Sequence, residues 1–356
     1  MKSILVLTKY GSLGASSRMR FYQYNNMLKD EFNFKYSHLI SSSELELLYS
    51  DGKYNKINIL KSYFNRILTL MKAKEYDFIW IQAETLPYIP YFFEKLLLNN
   101  KKYILDFDDA IFHNYDLSSG FYKKHFLKKK IDLLMRSSSF TVSGNNYLAS
   151  RAISSGCSNV AIVPTVVDLE LYKKDNKPVL THDEPIVIGW IGTKSTSKYL
   201  DIVINVLDEI SQMKNIQLKI IGSNIQFEGI SKLDIVYESW TQESEVSSLH
   251  SIDIGLMPLI DSAWERGKCG YKLIQYMACG KPVIASPVGC NVDIVTHGQN
   301  GFLASNESEW KTYLVNLIDS QSLRVTMGKN GFHAVENEYC LNVTRDKLVS
   351  IFNSIK

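Results

Sequence analysis

Residues 253–289, DIGLMPLIDSAWERGKCGYKLIQYMACGKPVIASPVG, decide the fold. Ile254, Leu256 and Met257 form a short apolar run that stops at Pro258, the size of a buried strand. Asp261 to Lys268 is polar and charged apart from Ala263 and Trp264. Leu273, Ile274, Met277 and Ala278 then recur at helical spacing. Gly280 stands where a helix-ending glycine belongs, and Pro282 prevents continuation. Pro282-Val-Ile-Ala-Ser follows as a second buried strand. Strand, loop, helix and strand make a βαβ unit. Its charged loop lies at the carboxyl end of a strand, where ligands bind in open α/β sheets. The N–H groups at the helix start attract phosphate.

Lys272-Leu-Ile-Gln-Tyr-Met-Ala-Cys-Gly-Lys-Pro-Val-Ile-Ala-Ser resembles the nucleotide-sugar signature of family-four GT-B glycosyltransferases, whose form is roughly Glu-x7-Glu-Ala-Met-Ala-x-Gly-x-Pro-Val-(Val/Ile)-Ala-Ser. The resemblance implies two Rossmann-like α/β domains facing an interdomain cleft. It implies transfer of a sugar from a nucleotide diphosphate to a hydroxyl of a glycan or polyprenyl-linked saccharide, with retention of configuration. There is one departure. The second family glutamate falls on Gln275, and the position eight before it is Gly267. A glutamine amide still serves ribose hydroxyls, and Glu265 is the nearby substitute carboxylate. Lys268 and Lys272 are expected to neutralise the diphosphate, with Gly270 and Tyr271 at the helix start. The alternative for each charge is an ordinary solvated loop residue.

A chain of 356 residues with 45% hydrophobic residues suits two domains. The net charge of +3 gives no reason to expect a nucleic-acid partner. Five scattered cysteines fit neither a metal spacing nor a secreted disulfide framework, so a reduced cytoplasmic setting is expected. Met1 to Thr8 has too short an apolar run for a signal peptide. No stretch reaches about 18 apolar residues, so no spanning helix is expected.

In the first half, Ile4 to Leu7 reads as a central parallel strand. The loop Gly11 to Arg20 and a helix follow, the layout of a phosphate cradle. Gly14 permits close backbone approach, and Arg18 and Arg20 are candidates to meet the acceptor or the diphosphate. Tyr76 to Glu84 is a strand with a polar end, and residues 86–98 read as a helix. Tyr103 to His113 is a strand running into Asp106-x-Asp108. That pair matches the metal motif of GT-A enzymes, where two carboxylates hold Mg²⁺ or Mn²⁺. In the GT-B reading, Asp108, Asp109 and His113 touch the reacting sugar or acceptor. Phe121 to Arg136 is a basic amphipathic stretch. Phe126, Leu127, Ile131, Leu134 and Met135 supply its apolar face, among Lys123, Lys124, Lys128, Lys129, Lys130 and Arg136. It suits contact with the anionic inner face of a membrane.

The interdomain linker is expected near 173–185. This gives an acceptor domain over 1–175, a donor domain over 176–335, and a final helix, 336–356, returning to the first. Pro185 to Gly192 opens the donor domain. The family places an Arg just after this Gly and a Lys about five residues on, both on the diphosphate. Here Thr193 takes the Arg position, Lys194 substitutes, and Lys198 matches the Lys. Trp240 walls the base pocket, and Gly301 is expected at a positive φ. The catalytic set is Asp108, Asp109, His113, Lys198 and Lys272. Catalysis is expected to rest on stabilising the departing diphosphate, with no cofactor or metal. Three rivals remain at this level: a nucleotide-sugar epimerase on the same fold, a metal-dependent GT-A transferase, and a non-catalytic nucleotide-sugar-binding partner subunit.

Overall fold

Continuous apolar runs build the central strands of two parallel sheets, buried on both faces, while the edge strands Phe32–Ile40 and Asp234–Glu238 are partly exposed. The computed structural model describes residues 1–172 and 184–355. The expected linker and the 175/176 boundary fall largely outside the described residues. Two compact units result. The first comprises Met1–Thr165, Arg266–Cys269 and Asn342–Lys356, and the second Val166–Glu265 and Gly270–Leu341.

The first unit contains β1 (Lys2–Tyr10), α1 (Ala15–Arg20), β2 (Phe32–Ile40), α2 (Lys56–Met71), β3 (Phe78–Gln82), α3 (Tyr91–Leu98), β4 (Tyr103–Phe107), α4 (Lys130–Ser137), β5 (Phe140–Ser143) and β6 (Val160–Ile162). Its strand order is β2-β1-β3-β4-β5-β6, all parallel. The order reverses at β1 and β3, so the loops after these strands flank the crevice of the sheet. Residues 86–98 are not one helix. Pro87 and Pro90 break the first part, and α3 starts only after Pro90.

The second unit contains β7 (Ile186–Ile191), β8 (Ile216–Ile221), β9 (Asp234–Glu238), β10 (Ile254–Met257), α5 (Tyr271–Ala278), β11 (Val283–Ala285), β12 (Gly301–Leu303) and α6 (Gln321–Glu338). Its order is β12-β11-β10-β7-β8-β9, again parallel throughout. The switch point lies between β7 and β10. Gly280 ends α5 at φ +67, as its position suggested. Gly298, not Gly301, adopts the positive φ. Gly301 is needed for space, because a Cβ there would stand 2.5 Å from the Val283 carbonyl oxygen of the paired strand.

The last helix, α7 (Leu341–Ser354), lies in the first unit from Asn342 onward. Phe352 is fully buried, with its ring 5.0 Å from Trp80 and 5.3 Å from Phe32. Lys2 Nζ donates to the carbonyls of Phe352, Asn353 and Ile355 at 2.9, 3.2 and 2.7 Å, satisfying the orphan acceptors of the helix end.

The basic stretch 121–136 departs from expectation in two ways. Leu127, Ile131, Leu134 and Met135 are core residues, while Phe121, Tyr122 and Phe126 stay exposed. Lys130 is not a solvated charge. Its ammonium is buried 2.5 Å from Glu84 and 2.7 Å from Glu94. Burial works against that charge, but Glu94 and Glu84 more than offset it and raise the pKa.

Candidate active site

In the second unit the candidate residues gather at the switch point. β7 ends at Ile191, and Gly192 N–H donates to the Ile221 carbonyl at 2.9 Å, which keeps the loop close to the sheet. Lys272, in the first turn of α5, lays its ammonium over the buried Trp190 ring, 4.1 Å from the centroid. A Cβ on Gly192 would stand 2.6 Å from that ammonium and 2.6 Å from Trp190 Cη2. Only glycine leaves this approach open. Thr193 follows, and Lys194 and Lys198 are exposed just beyond it. Lys198 Nζ lies over the Tyr199 ring at 5.2 Å.

α5 starts from Gly270 at φ +64, a backbone shape that L side chains rarely adopt. A Cβ there would fall on Ile294 Cδ1. The helix therefore opens at Tyr271 and Lys272 without a side-chain cap from Gly270. A helix start of this kind suits an anion.

Gln275, one turn further, is buried and does not stand alone. Its Nε2 donates to the Tyr172 hydroxyl at 3.0 Å. Tyr172 donates to Glu245 Oε1 at 3.4 Å, and Trp240 Nε1 donates to Glu245 Oε2 at 2.7 Å. Burial, with Tyr271 and Glu245 beside it, holds the Tyr172 pKa well above its ordinary value. A neutral Tyr172 has one proton, which it directs at Glu245. The Tyr172 oxygen then accepts from the glutamine, which leaves the Gln275 carbonyl oxygen at the other end of the amide. Gln275 thus presents an acceptor, as the family glutamate would. Trp240 is held by Glu245 as a wall. Glu265, the expected substitute carboxylate, is buried and accepts from Tyr199 and Ser262.

In the first unit, Gly14 starts α1 so close to β1 that a Cβ would stand 2.5 Å from Tyr10 Cβ. Ser17 Oγ donates to Gln82 at 2.7 Å, tying the loop after β1 to the end of β3. Arg18 is buried. Arg20 corrects the expectation of an acceptor contact. Its Nε donates to Asp106 Oδ1 at 2.8 Å and its Nη1 to the Val163 carbonyl at 2.6 Å, all inside the unit. Asp106 Oδ2 accepts from Trp80 Nε1 at 3.2 Å. Burial pushes the Asp106 carboxyl up to about 6, although Arg20 pulls it down. Both oxygens being engaged, Asp106 does not fit the carboxylate pair of the GT-A metal motif. Among the described residues no group of three or more His, Cys, Asp or Glu side chains is arranged to hold a metal ion.

His113 is also committed. Its Nδ1 is 2.7 Å from Asp116 Oδ1 and its Nε2 is 2.8 Å from the Tyr147 hydroxyl, so neither ring nitrogen is open to a substrate. Asp109 Oδ1 accepts from Ala110 N–H at 3.0 Å, and its Oδ2 is 4.0 Å from Lys268 Nζ. Asp108 is half-buried at the end of β4.

The segment Arg266–Cys269 belongs to the first unit, and its packing explains a missing glutamate. Asn145 Nδ2 donates to the carbonyls of Gly267 and Lys268 at 3.0 and 2.9 Å. A Cβ on Gly267 would fall on Ala110 Cβ, and one on Gly144 would fall on Cys269 Sγ. No side chain fits at Gly267, so a glutamate there is sterically excluded. Tyr172, Glu245, Asn145 and Ala110 were not singled out from the sequence. They carry no motif and reach the site only through folding.

Residues 185–320 match the family described as Glycosyl transferases group 1. The matched residues lie almost wholly in the second unit. An uncharacterized glycosyltransferase of Methanocaldococcus jannaschii is 27% identical over 176 residues, 45% of this chain and 46% of that protein. The capsular polysaccharide biosynthesis glycosyltransferase CapM of Staphylococcus aureus is 25% identical over 206 residues, 53% of this chain and 52% of CapM. The chain spans about half the length of the curated relatives it matches. The crystal structure of Anabaena HepE in complex with UDP and glucose superposes with a TM-score of 0.72, at 14% identity, covering 99% of this chain and 100% of HepE. The fold is therefore GT-B over the whole chain. The group 1 match covers β7, the Gly192 loop and α5, the elements that assemble Lys272, Gln275 and their supports.

Proposed function

We propose that the protein is a retaining glycosyltransferase. It takes a sugar from a nucleoside-diphosphate sugar and places it on a hydroxyl of a glycan or lipid-linked saccharide. The single observation that carries the reading is the opening at Gly192, which the Lys272 ammonium reaches from the first turn of α5. A diphosphate is the ligand that such a cation and helix start favour. Lys194 and Lys198 add positive charge beside it. HepE, which shares the fold, holds UDP and glucose in its crystal structure, and this supports a nucleotide sugar as the ligand class.

In the proposed reaction the anomeric carbon exchanges its bond to the diphosphate oxygen for one to the acceptor hydroxyl. The hydroxyl proton leaves with the diphosphate. Lys272, Lys198 and the helix-start amides stabilise the charge that develops on the leaving group, so no metal is required. Gln275 accepts from the ribose, Trp240 borders the base, Gly14 serves the donor and Arg18 the acceptor. Asp108 is the carboxylate assigned to the reacting sugar. Five buried free cysteines suit a reducing, cytoplasmic setting. Among the described residues no helix is long and apolar enough to cross a membrane.

The test is a panel of nucleotide sugars with EDTA or Mn²⁺ present, following nucleoside diphosphate release and the anomeric configuration of the product by NMR. Metal-independent release with retention supports the reading. Binding of a nucleotide sugar without release in any acceptor mixture favours the non-catalytic partner subunit, which the absent glutamates at Gly267 and Gln275 would suit.

A further inference from the structure

α2 presents two contrasting faces. One face points inward, with Arg66 and Leu70 buried and Tyr63 half-buried. The other carries Ile57, Leu60, Phe64, Leu68 and Met71 at spacings of three and four, all exposed, with Leu60 at 73% and Phe64 at 61%. At 3.6 residues per turn these five lie along one outward stripe. α3 packs beside α2 and exposes Phe92, Phe93 and Leu96 in turn. Scattered surface leucines are normal, but a stripe of large apolar residues on neighbouring helices marks an interaction surface.

The charge around the stripe identifies the partner. Residues 53–74 contain no Asp or Glu, and Lys53, Lys56, Lys61, Lys72 and Lys74 are all exposed. On α3 the single carboxylate, Glu94, is buried against Lys130, which leaves Lys95 in solvent. An apolar stripe edged by lysines is complementary to a bilayer with anionic headgroups. The side chains enter the acyl boundary while the ammonium groups meet phosphate. A second copy of the chain is a poorer occupant, since it would bring two lysine fields face to face.

We propose that the outward face of α2 and α3 docks the protein onto an anionic lipid surface. Within the expected membrane stretch at 121–136, Leu127, Ile131, Leu134 and Met135 are in the core, and Phe121, Tyr122 and Phe126 stay exposed. The inference rests on this surface alone and does not depend on which reaction the protein performs.

The experiment is flotation of the full chain with vesicles of phosphatidylcholine alone, or of two parts phosphatidylcholine to one part phosphatidylglycerol. Two variants are compared, Leu60→Glu with Phe64→Glu, and Lys61→Glu with Lys72→Glu, each checked by melting temperature and light scattering. The wild type should float with anionic vesicles and lose binding as salt rises. Each variant should bind about tenfold more weakly or worse, with its melting temperature kept. The lysine variant keeps the test decisive if the glutamates on the stripe impair folding. Failure of the wild type to bind anionic vesicles overturns the proposal, as does equal binding by a folded variant. A wild-type dimer that the stripe variant dissociates would assign the face to self-association and also overturn it.

Discussion

The ammonium of Lys272 lies 2.6 Å from the point where a Cβ on Gly192 would sit. One residue supplies the charge and the other the space, so they should fail together. Lys272→Ala should lower kcat/KM by about 10²–10³, the usual cost of removing one preorganised donor to a developing charge. Gly192→Ala should move the ammonium and crowd Trp190, lowering kcat/KM in the same direction. If the two act on one contact, the double variant should lose little beyond the larger single loss. Steady-state kinetics with the donor that binds, together with its thermal-shift affinity, checks this. Additive losses would show that the residues act separately.

Gln275 needs Tyr172 only because an amide has two different ends. Tyr172→Phe removes the acceptor of the Nε2 hydrogen bond, and the amide is then free to turn over. The donor KM should rise about five- to tenfold, the value of one hydrogen bond of about 1–1.5 kcal/mol. Gln275→Glu in the Tyr172→Phe background should recover most of that loss, since a carboxylate has no donor end to misplace. A purely structural role for Tyr172 predicts no such rescue.

Arg20 and Asp106 form a buried pair, with side-chain exposures of 3% and 1%. Arg20→Ala leaves a carboxylate in the interior without its cation, so it should cost about 3–5 kcal/mol of unfolding free energy. Arg20→Met with Asp106→Leu removes both charges and should cost clearly less. Denaturant titration measures both. Unchanged stability in Arg20→Ala, with only a raised acceptor KM, would return Arg20 to the acceptor site.

Much of the fold was open to reading because parallel strands buried on both faces need continuous apolar runs, and Ile4 to Leu7 and Ile254 to Met257 are such runs. The helix stop at Gly280 was equally plain. What escaped depends on partners far along the chain. Gly267 looked like a lost glutamate, but Ala110 occupies the space such a side chain would need. Glu265 looked like its replacement, but Tyr199 and Ser262 engage it. Lys130 sat in a run of solvated lysines until Glu84 and Glu94 folded over it. Helical periodicity marks an apolar face without saying what covers it. It therefore pointed to 121–136, where Leu127, Ile131, Leu134 and Met135 are covered, while the stripe from Ile57 to Met71 remains open.

Asp208 anchors the loop before β9. Its carboxylate accepts from Ser231 N–H at 3.1 Å, Lys232 N–H at 2.9 Å, Leu233 N–H at 3.0 Å and Ser231 Oγ at 3.1 Å. These donors, Lys232 N–H first, favour the charged form and hold the pKa below its ordinary value. The contribution to stability is therefore present above the ordinary carboxylate pKa and is lost as pH falls through the depressed one. Asp208→Ala should lower stability at neutral pH by about 1.5–3 kcal/mol, the range for hydrogen bonds to a charged group. The gap to wild type should narrow in acid, as protonation takes the same interactions from the wild-type carboxylate. Chemical denaturation of both proteins from neutral pH to below the ordinary Asp pKa measures this gap. A gap that stays constant down to the lowest pH would mean that Asp208 serves by its shape and not by its charge.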